Sequence, residues 1–306
     1  PGTVQVLPGT GPVAGSALAR NPLVERVDFT GGVATGLNVQ RTMTEAGRVR
    51  AYCAELGGNA PVVVFADTRS IDEAVNGVCF AAFVASGQTC VSGKRVLVQR
   101  EIFAEFREKL AAKVSALQLG DPMLPETDLG PVITEAQLKR IEDQVGTALR
   151  QGAKALVGGR RPDAARCPLA GAGHFFEPTV LTDVTPDNLA FAEEIFGPVI
   201  SLTEFGDEAE AVALANRSQY GLGGAMWTED VRRAHRVAKK LRSGVMWVNC
   251  HHRNDPSSPW GGFGQSGIGR ENGPEAFEEY TTTKSLTIRT SDVAENWFGD
   301  RAARYG

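Results

Sequence analysis

The feature that most constrains this chain is a regular alternation of short apolar runs with amphipathic stretches. VERVDF (24–29), RVRAYCAEL (48–56), PVVVF (61–65), KRVLV (94–98), VISLTEF (199–205), GGAMWT (223–228) and GVMWVN (244–249) read as strands, and VQVL (4–7) as one more. Between them lie helical patterns: 33–45, 70–85 with Ile71, Val75, Val78 and Ala82 on one stripe, 100–116, 134–151 with Leu138, Ile141, Val145 and Ala148 on one face, a helix from Asp207, and 230–241. Ser70 stands as an N-cap, with Glu73 positioned to complete a capping box. Strands that alternate with helices predict α/β architecture with largely parallel sheets. A chain of 306 residues is long enough for about two domains. The Gly-, Pro- and charge-rich stretch 158–173 reads as a surface loop.

Charge and cysteine usage exclude several classes. A formal net charge of -4 and a pI near 5.7 give no basis for binding nucleic acid or an anionic membrane. No apolar run approaches the roughly 18 residues that span a bilayer. The first residues, PGTVQVLPGTG, lack the basic and apolar regions of a signal peptide, and the absence of an initiator Met suggests a chain that starts partway through something. The five cysteines are odd in number, scattered and without a CxxC pair, so a disulfide framework and a zinc site are not expected, and a reducing, cytoplasmic setting is. Cys250-His251-His252 is the one run with metal-ligand residue types. Neighbours on a strand point to opposite faces, so no metal is expected there.

Four segments carry candidate chemistry. In FVASGQTCVSGKR (83–95), Cys90 lies in a polar turn between Gly87 and Gly93, unlike a buried structural cysteine. It reads as a nucleophile or as a core residue. FTGGVATG holds Gly31 and Gly36 between a strand and a helix start, where free N–H groups suit a phosphate; a simple tight turn is the other reading. It is neither GxGxxG nor a Walker loop. Glu55 in AELGGNAP ends a strand where open α/β sheets place ligands, or is a solvated strand end. EEIFGPV (193–199) contains Glu194 and Phe196 and reads equally as a surface helix end.

The order FTGGVATG, ELGGNAP, GQTC, EEIFGPV and SPWGGFGQSGIGRENG resembles the aldehyde dehydrogenase superfamily, over nearly the whole chain. The resemblance implies Cys90 as catalytic nucleophile and Glu55 as general base. It further implies Glu194 at the nicotinamide ribose hydroxyls, Phe196 beside the nicotinamide, and Gly31 and Gly36 at the cofactor pyrophosphate. NAD or NADP is the implied cofactor and a small-molecule aldehyde the implied substrate. An aldehyde has no leaving group, so a hydride departs only after a nucleophile has made a tetrahedral adduct. A thiol serves well, since even at a pKa of ~8.5 a few per cent is thiolate at pH 7. The resulting thioester needs an activated water. Glu55 suits that step if burial raises it from ~4.3 toward neutrality. The Cys90 N–H supplies half of an oxyanion hole. Trp260 sits where relatives line the substrate tunnel, or is a core Trp, and HHRND (251–255) is polar for an alkyl tunnel.

Two departures stand out. Gly32 replaces a Ser that many relatives carry at the pyrophosphate. The resemblance also begins midway through the coenzyme-binding domain, so the first Rossmann strands, the second oxyanion donor and the groups that grip the adenosine ribose are expected upstream of Pro1. The implied division is a remainder of the coenzyme-binding domain (1–56), a catalytic domain (57–255), and a return to the coenzyme side with an oligomerisation strand (256–306). TTTKSLTI (281–288) alternates like that strand, which in relatives joins a neighbouring subunit, so a homodimer or homotetramer is expected. The leading function is oxidation of an aldehyde to an acid with NAD(P)+. A coenzyme A-acylating relative is disfavoured by the presence of Glu55, and a non-catalytic scaffold of the same fold stays open.

Overall fold

The computed structural model describes residues 2–290, 292, 298 and 299. Gly11–Gly15 and α1 (Ser16–Arg20) lead into β1 (Arg26–Thr30), α2 (Val33–Glu45) and β2 (Ala51–Glu55). Next come β3 (Ala60–Val64), α3 (Ile71–Phe83), β4 (Gly93–Gln99), α4 (Arg100–Ala116) and α5 (Glu135–Arg150). The chain continues through β5 (Lys154–Val157), β6 (Thr179–Thr182), α6 (Leu189–Ala192), β7 (Val199–Phe205), α7 (Glu208–Asn216), β8 (Gly223–Trp227), α8 (Val231–Ala238) and β9 (Val245–Val248). It closes with β10 (Gly267–Ile268) and α9 (Gly273–Glu279).

Two sheets result. A three-stranded sheet, ordered β1-β2-β10, pairs β1 and β2 in parallel and β10 antiparallel. This is the Rossmann-like part. A seven-stranded sheet runs β5-β6-β7-β4-β3-β8-β9, parallel at every pair except β5–β6. It is buried on both faces, as crossover helices require. Along β3, Val62 and Val64 face one core with Val75 and Val78 of α3 and Phe106 and Leu110 of α4. Val63 faces the other, with Leu138, Ile141 and Val145 of α5 and Val237 of α8. Full burial of each such Val, Leu or Ile contributes about 2 kcal/mol, so the stripes read from periodicity are what hold the helices to the sheet.

Several expectations need correction. VQVL (4–7) forms no strand, and Val4 and Val6 are each 86% exposed. Residues 281–290 form no ladder within the chain, which leaves the expected pairing with a neighbouring subunit untouched, and Leu286 and Ile288 are exposed. Alternation alone does not make a strand; without a neighbour in its own chain each segment has nothing to bond with. Ser70 does cap α3, its Oγ accepting from the Glu73 N–H at 3.4 Å, but the Glu73 carboxylate turns to Arg69 at 3.9 Å rather than closing the box. α3 also stops at Phe83, two residues short of the predicted stretch, which frees the turn ahead of Cys90.

The candidate active site

The turn between α3 and β4 carries Cys90. Ala85, Ser86 and Gly87 are all left-handed, with φ of 52°, 56° and 69°. Such a run costs free energy at the two non-glycine residues and is held from outside. The Ser86 hydroxyl donates to the Gly130 carbonyl at 2.8 Å. A side chain at Gly87 would collide with the Gly197 carbonyl, and one at Gly58 with the Cys90 carbonyl. The nucleophile turn is therefore wedged between the turn after β2 and the loop before β7.

Cys90 is half-buried, and its thiol is pushed up to about 11. Burial is the main cause, followed by the charges of Glu55 and Glu194; the N–H groups of Cys90 and Val91 pull the other way. This changes the sequence expectation. At a pKa near 11 only about one thiol in ten thousand is ionised at pH 7, not a few per cent. A thiol in this state becomes nucleophilic only with a base to take its proton.

Glu55 is near enough for its charge to act on the Cys90 thiol. It ends β2, in register with Thr30 of β1 and Gly267 of β10, and is 4% exposed. Both carboxyl oxygens are buried without a hydrogen-bond partner. Burial and then the Glu271 charge raise its pKa to about 7, while Trp260 and Arg270 pull it back. The indole thus faces the carboxyl without making a formed hydrogen bond. A buried carboxyl that is half-ionised at neutral pH and has unfilled lone pairs can accept a proton from a thiol or a water.

Across from it, Glu194 accepts from the Gly58 N–H at 2.9 Å. Burial raises its pKa, countered by Gly58, Lys94 and Arg140. Side-chain amides stitch its loop in place. Gln144 donates to the Glu194 carbonyl at 3.0 Å, Gln137 to the Phe196 carbonyl at 2.8 Å, and Asn59 to the Phe191 carbonyl at 2.8 Å. Phe196 is half-buried. Gly31 donates to the Glu55 carbonyl at 3.0 Å, and the Gly36 carbonyl accepts from Tyr52 at 2.8 Å. Exposed Gly32 is the N-cap of α2, so the free N–H groups of the first helical turn open to solvent there.

Trp260 is bonded backbone to backbone with Glu271, and its ring lies 6.2 Å from that of Trp247. It packs on the core cluster that also touches Cys90, which meets its core reading. Sequence reasoning missed Glu271, the charge beside Glu55, and the pair Thr89–His252, joined at 3.0 Å next to the nucleophile. It missed Lys94 as well. It also missed a cavity of about 640 Å³ between α1, β1 and α2, lined by Gly11, Pro12, Leu18, Val27, Phe29 and Val39 among others. Expectation put every group for the adenosine half upstream of Pro1; this cavity adjoins the N-terminus of α2 within the chain. No group of three or more His, Cys, Asp or Glu among the described residues is placed to hold a metal.

A model of the aldehyde dehydrogenase family matches residues 1–286. The chain belongs to the aldehyde dehydrogenase family. It is 37% identical over 297 residues to the peroxisomal aminoaldehyde dehydrogenase 1 of Pisum sativum, covering 97% of this chain and 58% of that protein. It is 38% identical over 300 residues to the betaine aldehyde dehydrogenase of Bacillus subtilis, covering 97% and 59%. The crystal structure of Staphylococcus aureus betaine aldehyde dehydrogenase in complex with NAD+ superposes with a TM-score of 0.89 at 38% identity, over 95% of this aldehyde dehydrogenase chain and 57% of that one. The chain spans somewhat under three fifths of the length of these relatives.

Proposed function

We propose that the protein oxidises an aldehyde to a carboxylic acid with NAD(P)+, through a covalent adduct on Cys90. The observation that carries this reading is the pairing of Cys90 with a buried, unpartnered Glu55 whose pKa lies near 7. Glu55 takes the thiol proton, and the Cys90 sulfur adds to the carbonyl carbon to give a thiohemiacetal. The Cys90 N–H donates to the developing oxyanion. A nicotinamide cofactor held by Glu194 and Phe196 would supply the acceptor for the hydride that leaves this carbon, and the adduct would become a thioester. Once Glu55 has passed that first proton to solvent, it removes a proton from water, whose oxygen attacks the thioester; the acid leaves and the Cys90 sulfur takes this second proton back from Glu55 as the free thiol.

The chain's residues fit a dinucleotide on three counts. The free N–H groups at the start of α2 suit the pyrophosphate, beside Gly31 and Gly36. The cavity between α1 and α2 has apolar walls for a flat base. Glu194, held by Gly58, has acceptor capacity for ribose hydroxyls, with Phe196 beside it. Relatives named for aminoaldehydes and betaine aldehyde make cationic aldehydes the first substrates to try. Trp260, close to the carboxyls of Glu55 and Glu271, suits a cation.

The domain division at 56 and 255 and a homo-oligomer are part of this proposal. The exposed apolar residues of 281–288 support the oligomer, and sedimentation of the intact chain against one ending at residue 280 tests it. No helix among the described residues is long and apolar enough to cross a membrane, and all five cysteines are free, which supports a reducing compartment such as the cytoplasm. The deciding experiment incubates the protein with NAD+ or NADP+ and betaine aldehyde or an aminoaldehyde and follows NAD(P)H. Absence of NAD(P)H from this chain, with formation by one extended to the relatives' length, would favour the scaffold reading that partial coverage supports.

A further inference from the structure

We propose that Lys94 is a positioning residue that fastens the nucleophile turn to the loop carrying Glu194 and Phe196. The inference rests on reading Cys90 and Glu194 as two sides of one site. These two sides come from distant parts of the chain. Cys90 follows α3, whereas Glu194 and Phe196 precede β7, and no secondary-structure ladder joins the two segments. Lys94 is the second residue of β4, next to the strand's pairing with β7 at Arg95. Its Nζ donates to the Gly87 carbonyl at 2.7 Å, in the left-handed run before Cys90, and also to the Gly197 carbonyl, directly after Phe196.

The cation is 3% exposed, which a lysine tolerates only where its charge is compensated. Two carbonyl dipoles and the Glu194 carboxylate supply that compensation, against the desolvation that pulls its pKa down to about 7. His252 also faces it, held on Thr89. The group is thus surrounded by the residues that frame Cys90, and by little else that is charged. An acyl-transfer site loses on the order of a hundredfold in rate when reacting groups shift by about 1 Å, so a direct tie between the two loops matters more than its own hydrogen-bond strength.

The tie has a consequence that needs neither aldehyde nor dinucleotide: the two loops open together. Amide hydrogen exchange reads it in the intact chain. The N–H groups of Gln88 and Ser92 on one side, and of Gly197 and Val199 on the other, are all hydrogen-bonded. In the unmodified protein their protection factors agree to within about threefold. Lys94→Met keeps the stem and removes the donors; it speeds exchange at all four amides about tenfold or more, and leaves Val96 and Val98 in β4 unchanged. Lys94→Gln, which restores an N–H donor without charge, returns part of the protection in both loops. Protection factors that differ by more than threefold in the unmodified protein overturn the proposal. So does faster exchange in only one loop, a uniform rise that includes β4, or a Gln variant no better protected than Met. Should Lys94→Met fail to fold, the unmodified protein still decides through its four protection factors, and Lys94→Gln read against it must speed exchange in both loops and not in β4, any other pattern overturning the proposal. Failure of the aldehyde-oxidation reading would leave all of these rates as they are, so the two failures are distinct.

Discussion

Glu55 is held at a cost to the fold, and that cost has a pH signature. Its carboxyl has an ordinary value of 4.5 and rises to about 7 in the native protein. The native state therefore binds a proton that the unfolded chain releases between those two values. With the folded pKa the higher, Glu55 favours the native state below about pH 4.5 and loses that advantage as pH rises to 7. The rise corresponds to about 3 kcal/mol, reached in full above pH 7. Glu55→Gln removes the titration. Its buried amide adds an offset of its own, but one that does not vary with pH. The difference in unfolding free energy between Glu55→Gln and the unmodified protein should therefore climb by about 3 kcal/mol from pH 4.5 to 8, in favour of Gln. Urea unfolding followed by tryptophan fluorescence, at half-unit steps of pH, measures it. The same variant should keep a rapid first turnover of NAD(P)H only if Glu55 acts chiefly at hydrolysis; loss of the first turnover as well points to its role in taking the Cys90 proton. A difference in stability that stays flat within 0.5 kcal/mol across this range would refute the claim that Glu55 is buried against its charge.

Three further outcomes are expected. Cys90→Ser should retain less than a tenth of the aldehyde-oxidising rate with an unchanged unfolding midpoint, because a serine hydroxyl is a far poorer nucleophile near neutral pH; a higher residual rate removes the covalent step. Iodoacetamide labelling of Cys90, quantified on its own peptide, should rise about tenfold per pH unit until near pH 11, with the inflection lower in Glu55→Gln; a plateau below pH 9 contradicts the burial and charge argument. Calorimetric titration of NAD+ should give an affinity about tenfold or more weaker for this chain than for one extended to the relatives' length, and Leu18→Asp, placing a charge in the cavity beside α2, should weaken it further; equal affinities in the two chain lengths mean that the adenosine half is gripped wholly within residues 1–306.

Where the sequence was readable, the reason is local. The alternation around PVVVF and KRVLV shows because both faces of β3 and β4 are covered, so every residue in the run is apolar or short of water. The start of α3 was readable through Ser70, whereas its end was drawn two residues too far. Strand β5 was missed because Lys154 and Ala155 are exposed on an antiparallel edge, where the pattern carries little apolar signal, and β6 because its four residues, two of them Thr, are too short a run to stand out although all are buried. The opposite error, a strand drawn at 4–7, comes from a pattern whose partner is not in the described chain. The site divides along the same line. Cys90 and Glu55 announce themselves by turn chemistry close to each in sequence. Lys94 does not, since KR at a strand start looks like a solvated end. Both cations are in fact buried, Arg95 donating to the carbonyls of Asn59, Leu214 and Ala215 and Lys94 to those of Gly87 and Gly197. All five of those acceptors are backbone groups, which every residue type carries, and three of the five lie about a hundred residues away. A buried cation satisfied by remote carbonyls leaves no mark in its partners' side chains, so the residues that set a site's geometry are legible only once the chain has brought those carbonyls together.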